Sequence, residues 1–203
     1  MENGTFLPPA MLAALFSFGV VISITPGPNN IMLATSGVNF GLWRTVPQMA
    51  GITTGVLLAI IGTGLGLGTV FSLYPLVRQV LQGMGIAYTL WLSWKLATSG
   101  SLGGGDLPRP MRYGASFAFQ WVNPKVWLTA IGTVALYMRP GHTLVDTTTI
   151  TCVIAMINIP VMLLWTGFGV FLREFLRIPG RIRIFNIAMG VVLAASVISL
   201  LRI

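Results

Sequence analysis

Acidic residues are nearly absent from this chain of 203 residues, which has only four of them against twelve lysines and arginines. Charged residues make up 8% of the sequence, whereas an average soluble domain carries about 25%. Hydrophobic residues account for 55%, and the mean hydropathy is +0.85. This polar content is too small to cover a soluble globule, so the composition predicts an integral membrane protein.

Cysteine and histidine are equally scarce, with one residue of each. A single cysteine excludes an intramolecular disulfide and a thiolate metal site, and Cys152, in an apolar run, is predicted to be a small buried hydrophobe. No serine, histidine and acid set lies within an apolar segment, and no glycine-rich phosphate loop is present. We therefore expect no catalytic residue, no metal and no other cofactor.

The net charge of +8 comes from lysines and arginines that occur singly at the ends of apolar segments. They form no basic stripe with interleaved aromatic residues, so nucleic-acid binding is not predicted. We interpret them as signals of membrane topology, with lipids as the surrounding partner.

Six apolar segments are long enough to cross a membrane, which takes about 20 residues. They cover residues 6–38, 46–71, 75–98, 113–138, 147–172 and 184–201. The sequence therefore predicts an all-α, polytopic bundle of six transmembrane helices, the first of which is over-long and the fourth interrupted.

A polar stretch over residues 99–112 divides the chain, with three apolar segments on each side. It contains Gly103-Gly104-Gly105-Asp106 and Pro108-Arg109-Pro110, a composition typical of a linker. An odd number of spans per half forces the halves into opposite orientations. We therefore predict two inverted three-helix repeats, residues 1–98 and 113–203, joined by a cytoplasmic linker.

The positive charges between the segments predict the orientation. The connections after spans one, three and five carry eight of them: Arg44, Lys95, Arg109, Arg112, Arg173, Arg177, Arg181 and Arg183. The opposite side carries three, which are Arg78, Arg139 and Arg202. Since positive residues favour the cytoplasmic side, both termini are predicted to lie outside. The N-terminus lacks the pattern of a cleaved signal peptide, so the first helix is expected to be retained.

The first segment is interrupted by Thr25-Pro26-Gly27-Pro28-Asn29-Asn30. Each proline in a helix interior costs about 3 kcal/mol or more, because it removes a donor and clashes with the preceding turn. The stretch is either a loop between buried helices of a soluble protein or a membrane helix broken at depth, and the composition favours the second. Asn29 and Asn30 would lie in the first turn of a second half-helix, where amides and the positive helix end suit a carboxylate; Asn29 could also cap that helix.

A second interruption, Asn123-Pro124-Lys125, falls in the fourth segment, about one turn after Gln120. A lysine near the centre of a membrane helix costs about 2.5 to 3.5 kcal/mol, so it usually faces a cavity or a partner. The alternative is a lysine that snorkels at a helix end, but apolar residues continue on both sides. Asn158 is a weaker candidate, because an asparagine near Pro160 could merely satisfy backbone groups freed by the proline.

All four acidic residues, Glu2, Asp106, Asp146 and Glu174, lie at span ends or in connections. A proton relay through an intramembrane carboxylate is therefore not available to these spans.

Glycines recur at helix-packing spacing in the second segment, as the pairs Gly51/Gly55, Gly62/Gly66 and Gly64/Gly68. Such faces let helix backbones approach closely, which places this segment at the centre of the bundle or in a homodimer contact. Glycine is also simply common in membrane helices.

Four motifs spread over nearly the whole chain carry a family resemblance. They are Thr25-Pro26-Gly27-Pro28-Asn29, the approach from Asn39-Phe40-Gly41 to Gly51, the run from Ala87-Tyr88 to Trp94-Lys95, and Phe119-Gln120-Trp121-Val122-Asn123-Pro124-Lys125. Together they resemble the LysE/RhtB family of bacterial amino-acid exporters, and the fourth is most similar to the branch that exports cysteine and O-acetylserine. The resemblance implies a secondary transporter of the bacterial inner membrane, whose termini would then be periplasmic.

We hypothesise a substrate site near the midplane, where the two broken helices meet, that takes a small neutral amino acid or derivative by alternating access. Its residues are Pro26, Gly27, Pro28, Asn29, Asn30, Gln120, Asn123, Pro124, Lys125 and Asn158. Lys125 would supply positive charge to the substrate carboxylate. The prolines at the first break would either bind substrate or act as a hinge.

Two other classes remain open. A membrane-embedded enzyme or lipid-handling protein would need a reactive group at interfacial depth, and only His142 with Asp146 offers one. A purely structural membrane subunit would leave the cost of Lys125 and of two broken helices without a function.

Overall fold

The computed structural model of the protein describes residues 6–68, 73–98, 110–176, 178 and 180–200. Over these ranges the chain folds into eight α-helices and no β-strand. In chain order they are α1 (Pro9–Ile24), α2 (Pro28–Phe40), α3 (Leu42–Gly62), α4 (Pro75–Thr98), α5 (Tyr113–Val122), α6 (Pro124–Tyr137), α7 (Thr143–Leu176) and α8 (Arg181–Leu200). The all-α prediction is confirmed.

Membrane-spanning capacity is clear for two of these helices in the described part of the chain. They are α3 with its terminal turn, Leu42–Leu67, and α7. The pair α1 and α2 qualifies as a third span if it is counted as one helix, bent by 56° at its break. Six crossings and two inverted repeats therefore remain predictions, as do the domain bounds. Residues 99–109 of the predicted linker lie outside the described residues.

Two helix boundaries differ from the predicted segments. α3 begins at Leu42, so Pro47 lies inside the helix instead of near its start. α7 runs for 34 residues, which places Asp146 in its first turn and Arg173 in its last turn instead of in the connections. The terminal turn of α3, Thr63–Leu67, is π-helical.

The main core joins α1, α2, α3, α6 and α7 around buried aliphatic side chains. Its fully buried members include Leu15, Leu33, Ile52, Ile60, Ile150 and Ile154. Because α3 packs against α2, α5, α6 and α7, it lies at the centre of the bundle.

Glycines let the backbones of two helix pairs approach within contact distance. On α3, Gly51 lies against the carbonyl of Tyr113, and a Cβ on Gly55 would lie 2.5 Å from Cγ of Gln120. Between α2 and α7, Gly169 lies against the carbonyl of Ala34. The Gly51/Gly55 pair therefore serves packing within the chain, and the homodimer remains a prediction.

The prediction that Cys152 is buried is wrong, because the residue is exposed on α7. An apolar environment is available on the lipid side of a membrane helix as well as in the core, so an apolar run does not tell which side a small residue faces.

Candidate functional site

The first break separates α1 from α2 at the residues predicted to interrupt the helix. α1 ends at Ile24, and both the backbone N–H and the hydroxyl of Thr25 donate to the carbonyl of Val21. α2 begins with Pro28, whose missing N–H costs nothing at the first helical position. Its N-cap residue is Gly27, and no side chain among the described residues caps this helix. Asn29 therefore does not cap α2, which was one of its two expected roles.

The second break lies between α5 and α6, and it differs from the first because a side chain caps the helix that follows it. α5 stops at Val122, and α6 begins with Pro124. Asn123 is the N-cap residue of α6, and its side-chain oxygen accepts a hydrogen bond from the N–H of Lys125 at 3.1 Å. Asn123 and Pro124 thus start a helix, and the side chain of Lys125 leaves from its first turn.

The two breaks contact each other through Lys125. Its Nζ donates to the carbonyl oxygen of Thr25 at 2.7 Å, which satisfies an acceptor at the end of α1. A Cβ placed on Gly27 would lie 3.0 Å from Cδ and 3.1 Å from Nζ of this lysine. Glycine at position 27 therefore leaves the room in which the lysine ammonium lies.

Amide side chains fix the break in α1–α2. Asn29 and Gln120 form two hydrogen bonds with each other, and Gln120, which is 0% exposed, also donates to the carbonyl of Ser116 at 2.8 Å. Asn30 donates to the carbonyls of Ser23 and Thr25 at 2.7 and 3.0 Å. The amide of Asn30 thus holds the break together, and its donors are already used.

A cleft opens at the point where the breaks meet. Seven of the predicted site residues line it: Gly27, Pro28, Asn29, Asn30, Asn123, Lys125 and Asn158. The other three do not: Gln120 lies behind Asn29, Pro124 is a buried part of the second break, and Pro26 is exposed.

Apolar and hydroxyl residues that the sequence reasoning missed complete the lining. They include Ser23, Ile52, Val56, Thr129, Ile154 and Met162. Their spacing carries a signal, since Ile154 and Met162 flank Asn158 at four residues on either side, and Thr129 follows Lys125 by four. Residues four apart lie on the same helix face. Ile154, Met162 and Thr129 could therefore have been predicted as the neighbours of Asn158 and Lys125 on their helix faces.

The electrostatics of the cleft favour an anion. Among the described residues, Lys125 is the only charged one that lines the cleft, and no carboxylate in the same ranges lies within 4.0 Å of the ammonium. The backbone N–H groups of Asn29 and Asn30, at the uncapped start of α2, also point positive dipole ends toward this region. An ammonium has three donors and Thr25 takes one, so two remain for a ligand.

Metal and catalytic chemistry have no comparable support in the described residues. No group of three His, Cys, Asp or Glu side chains is close enough there to hold a metal ion. Asp146, which was considered with His142 as a reactive pair, is 0% exposed and accepts hydrogen bonds from Nε and Nη2 of Arg139 at 3.0 and 2.7 Å. This hydrogen bonding raises the pKa of the Arg139 guanidinium above its ordinary value. Asp146 therefore forms an ion pair with Arg139 and is not a free acid.

Comparison with known proteins gives a family match over most of the chain. The family described as LysE type translocator matches residues 20–202. The cysteine/O-acetylserine efflux proteins of Salmonella choleraesuis (strain SC-B67), Salmonella typhimurium (strain LT2) and Escherichia coli (strain K12) are each 33% identical to the chain over 135 residues. The alignments cover 65% of this chain and 68% of each relative. None of the solved structures compared with the chain matches it.

Proposed function

Because the chain belongs to the LysE type translocator family, we propose that it exports small neutral amino acids or their derivatives across the bacterial inner membrane. Family membership makes it a translocator and not an enzyme, so the enzyme alternative is wrong. The names of its relatives suggest cysteine and O-acetylserine as the first substrates to test.

One observation carries the proposed binding mode: the ammonium of Lys125 lies beside the uncapped N-terminus of α2 in a cleft without a carboxylate. The carboxylate of an amino acid bridges these two positive groups. Two donors of the ammonium and the N–H groups of Asn29 and Asn30 are available to it.

The rest of the cleft favours a neutral substrate. Asn158 and the hydroxyl of Ser23 line it as acceptors for an α-ammonium, and Ile52, Val56 and Met162 form an apolar wall for a short side chain. A cationic side chain finds no carboxylate among the lining residues. Arginine and lysine are therefore poor substrates.

Two parallel helix pairs support six crossings in two inverted repeats. Along spans one and five, Gly19 contacts Ile154 and Ile157, and Gly37 contacts Thr166, so both helices advance in the same direction. The second and fourth spans do the same, since Gly51 contacts Tyr113 and Gly55 contacts Gln120. In two three-helix repeats, span one corresponds to span four and span two to span five. The pair of spans one and five therefore corresponds to the pair of spans four and two, as an inverted repeat requires. Both termini are then periplasmic, by the charge bias.

Alternating access uses the break at Gly27 as its hinge. The 56° bend lies where α1 and α2 are joined by three residues, and Lys125 links it to the second break. Substrate that draws the ammonium away from Thr25 weakens this link and frees α1 to move.

Counterflow in proteoliposomes tests the proposal, with labelled O-acetylserine, cysteine, alanine, lysine and arginine, with and without a pH gradient. Lys125→Met should abolish counterflow of the neutral substrates, because the carboxylate loses its charge partner. Lys125→Arg is the matched control that keeps the charge and should retain part of the activity. Unchanged kinetics in Lys125→Met, with equal amounts of folded protein, would overturn the binding mode.

A further inference from the structure

A second cavity lies along the C-terminal half of α2. Its wall includes Met32, Thr35, Gln48 and Lys95, together with Pro110 and Met111, which adjoin the predicted linker. We refer to it as the linker-side cavity. It shares no lining residue with the cleft at the breaks.

The cleft and the linker-side cavity follow one another along the same two helices. On α2, Asn30 lines the cleft and Met32 lines the cavity; on α3, Ile52 lines the cleft and Gln48 the cavity. Four residues of helix advance about 6 Å, so the two spaces are about one turn apart. The linker-side cavity therefore lies next to the cleft along these helices.

An apolar contact borders the linker-side cavity. Ile31, which is 1% exposed and follows Asn30, packs against Leu96 and Leu193. Leu96 and Leu193 also line the linker-side cavity.

Buried polar side chains distinguish the linker-side cavity from a packing defect. Gln48 is 2% exposed and lines the cavity. Thr35 is 7% exposed, and its hydroxyl has no partner within the same ranges. Buried amides and hydroxyls are nearly always paired in proteins, so groups left unpaired around a cavity indicate a ligand or water.

A cation completes the cavity. Lys95 is half-buried, its Nζ lies 5.1 Å from the centre of the Trp91 ring, and no carboxylate of the described chain lies within 4.0 Å of it. The cavity thus offers a positive charge, an amide and a hydroxyl inside a mostly apolar wall.

We propose that the linker-side cavity is a second binding site for the exported amino acid, a vestibule that it occupies before it reaches the cleft. Lys95 attracts the carboxylate, Gln48 and Thr35 bond the polar groups, and the leucines of the wall accept a short side chain or an acetyl group. This inference rests on the proposed export function and adds a second substrate site to it.

Protection of single cysteines tests the vestibule in a Cys152→Ser background. Thr35→Cys reports on the linker-side cavity and Ser23→Cys on the cleft, each modified by a water-soluble methanethiosulfonate in proteoliposomes with O-acetylserine, serine or alanine. We expect substrate to slow modification at least threefold at both positions. Adding Lys125→Met should remove protection at Ser23→Cys and keep it at Thr35→Cys.

The outcomes separate the two proposals. Protection at Ser23→Cys with none at Thr35→Cys overturns the vestibule and leaves export through the cleft intact. Loss of both protections in Lys125→Met also overturns it, because the two positions would then report one site. No protection at either position, together with no counterflow of any amino acid, overturns both proposals. As an independent measure in the unlabelled chain, Gln48→Met should raise the half-saturating substrate concentration at least threefold with the maximal rate kept, and an unchanged value counts against the vestibule.

Discussion

Asn29 on α2 and Gln120 on α5 exchange two side-chain hydrogen bonds. Nδ2 of Asn29 donates to Oε1 of Gln120 at 2.8 Å, and Nε2 of Gln120 donates to Oδ1 of Asn29 at 3.2 Å. The two residues are 91 positions apart, and each belongs to one of the broken spans. This amide pair therefore fixes how the two breaks face each other across the cleft.

Removal of either member of the amide pair should destabilise the protein, and the double variant should lose less stability than the sum of the two single losses. Gln120→Ala leaves a half-buried amide on Asn29 unpaired, at a cost of about 1–3 kcal/mol. A double-mutant cycle with Asn29→Ala should give a coupling of about 0.5–3 kcal/mol in thermal unfolding of the purified protein in detergent. Strictly additive effects would mean that the amide pair does not hold the breaks in register.

Gly27→Ala should reduce export by crowding Lys125. The added Cβ would lie 3.0 Å from Cδ and 3.1 Å from Nζ of the lysine, so the lysine side chain must shift by a few tenths of an ångström. Gly83→Ala on α4 is the matched control, because its Cβ would meet no atom within 4 Å. The control should keep normal counterflow and could gain up to about 1 kcal/mol of stability in the helix. Equal counterflow in both variants would contradict the placement of Lys125.

The breaks could be predicted from the sequence because their cause is local. Pro28 and Pro124 both occupy first helical positions, as backbone chemistry requires of proline. Asn29 and Gln120 were both predicted to belong to the site. Their pairing could not be predicted, because nothing in the sequence says which amides face each other. Lys125 was expected at a cavity, and the carbonyl of Thr25 as its partner came only from the fold.

Helix faces were harder to predict than helix positions. In a membrane both the core side and the lipid side of a helix are apolar, so the periodicity that marks the buried face of a soluble helix is lost. For this reason Cys152 was wrongly predicted to be buried. For the same reason the apolar lining residues Ile52 and Val56 were not predicted. Asp146 was predicted to lie at a span end or in a connection, and the structure pairs it with Arg139 at the start of α7.

Arg139→Gln should lower the unfolding temperature, since it leaves the carboxylate of Asp146 without its cation. Nη1 of Arg139 also donates to the carbonyl of Phe6 at 3.1 Å, so the change loosens the segment before α1 as well. Arg183→Gln is the control, because that arginine is exposed. Thermal unfolding of the two variants checks the difference. Similar unfolding temperatures would show that the ion pair contributes little.

Gly169→Ala should prevent stable assembly of the bundle, whereas Gly167→Ala, two residues away on α7, should be tolerated. A Cβ on Gly169 would overlap the carbonyl of Ala34 on α2, and backbone atoms cannot yield as a side chain can. A Cβ on Gly167 would meet nothing within 4 Å. The yield of monodisperse protein after detergent extraction measures the effect. Equal yields from both variants would contradict the close approach of α2 and α7 at this point.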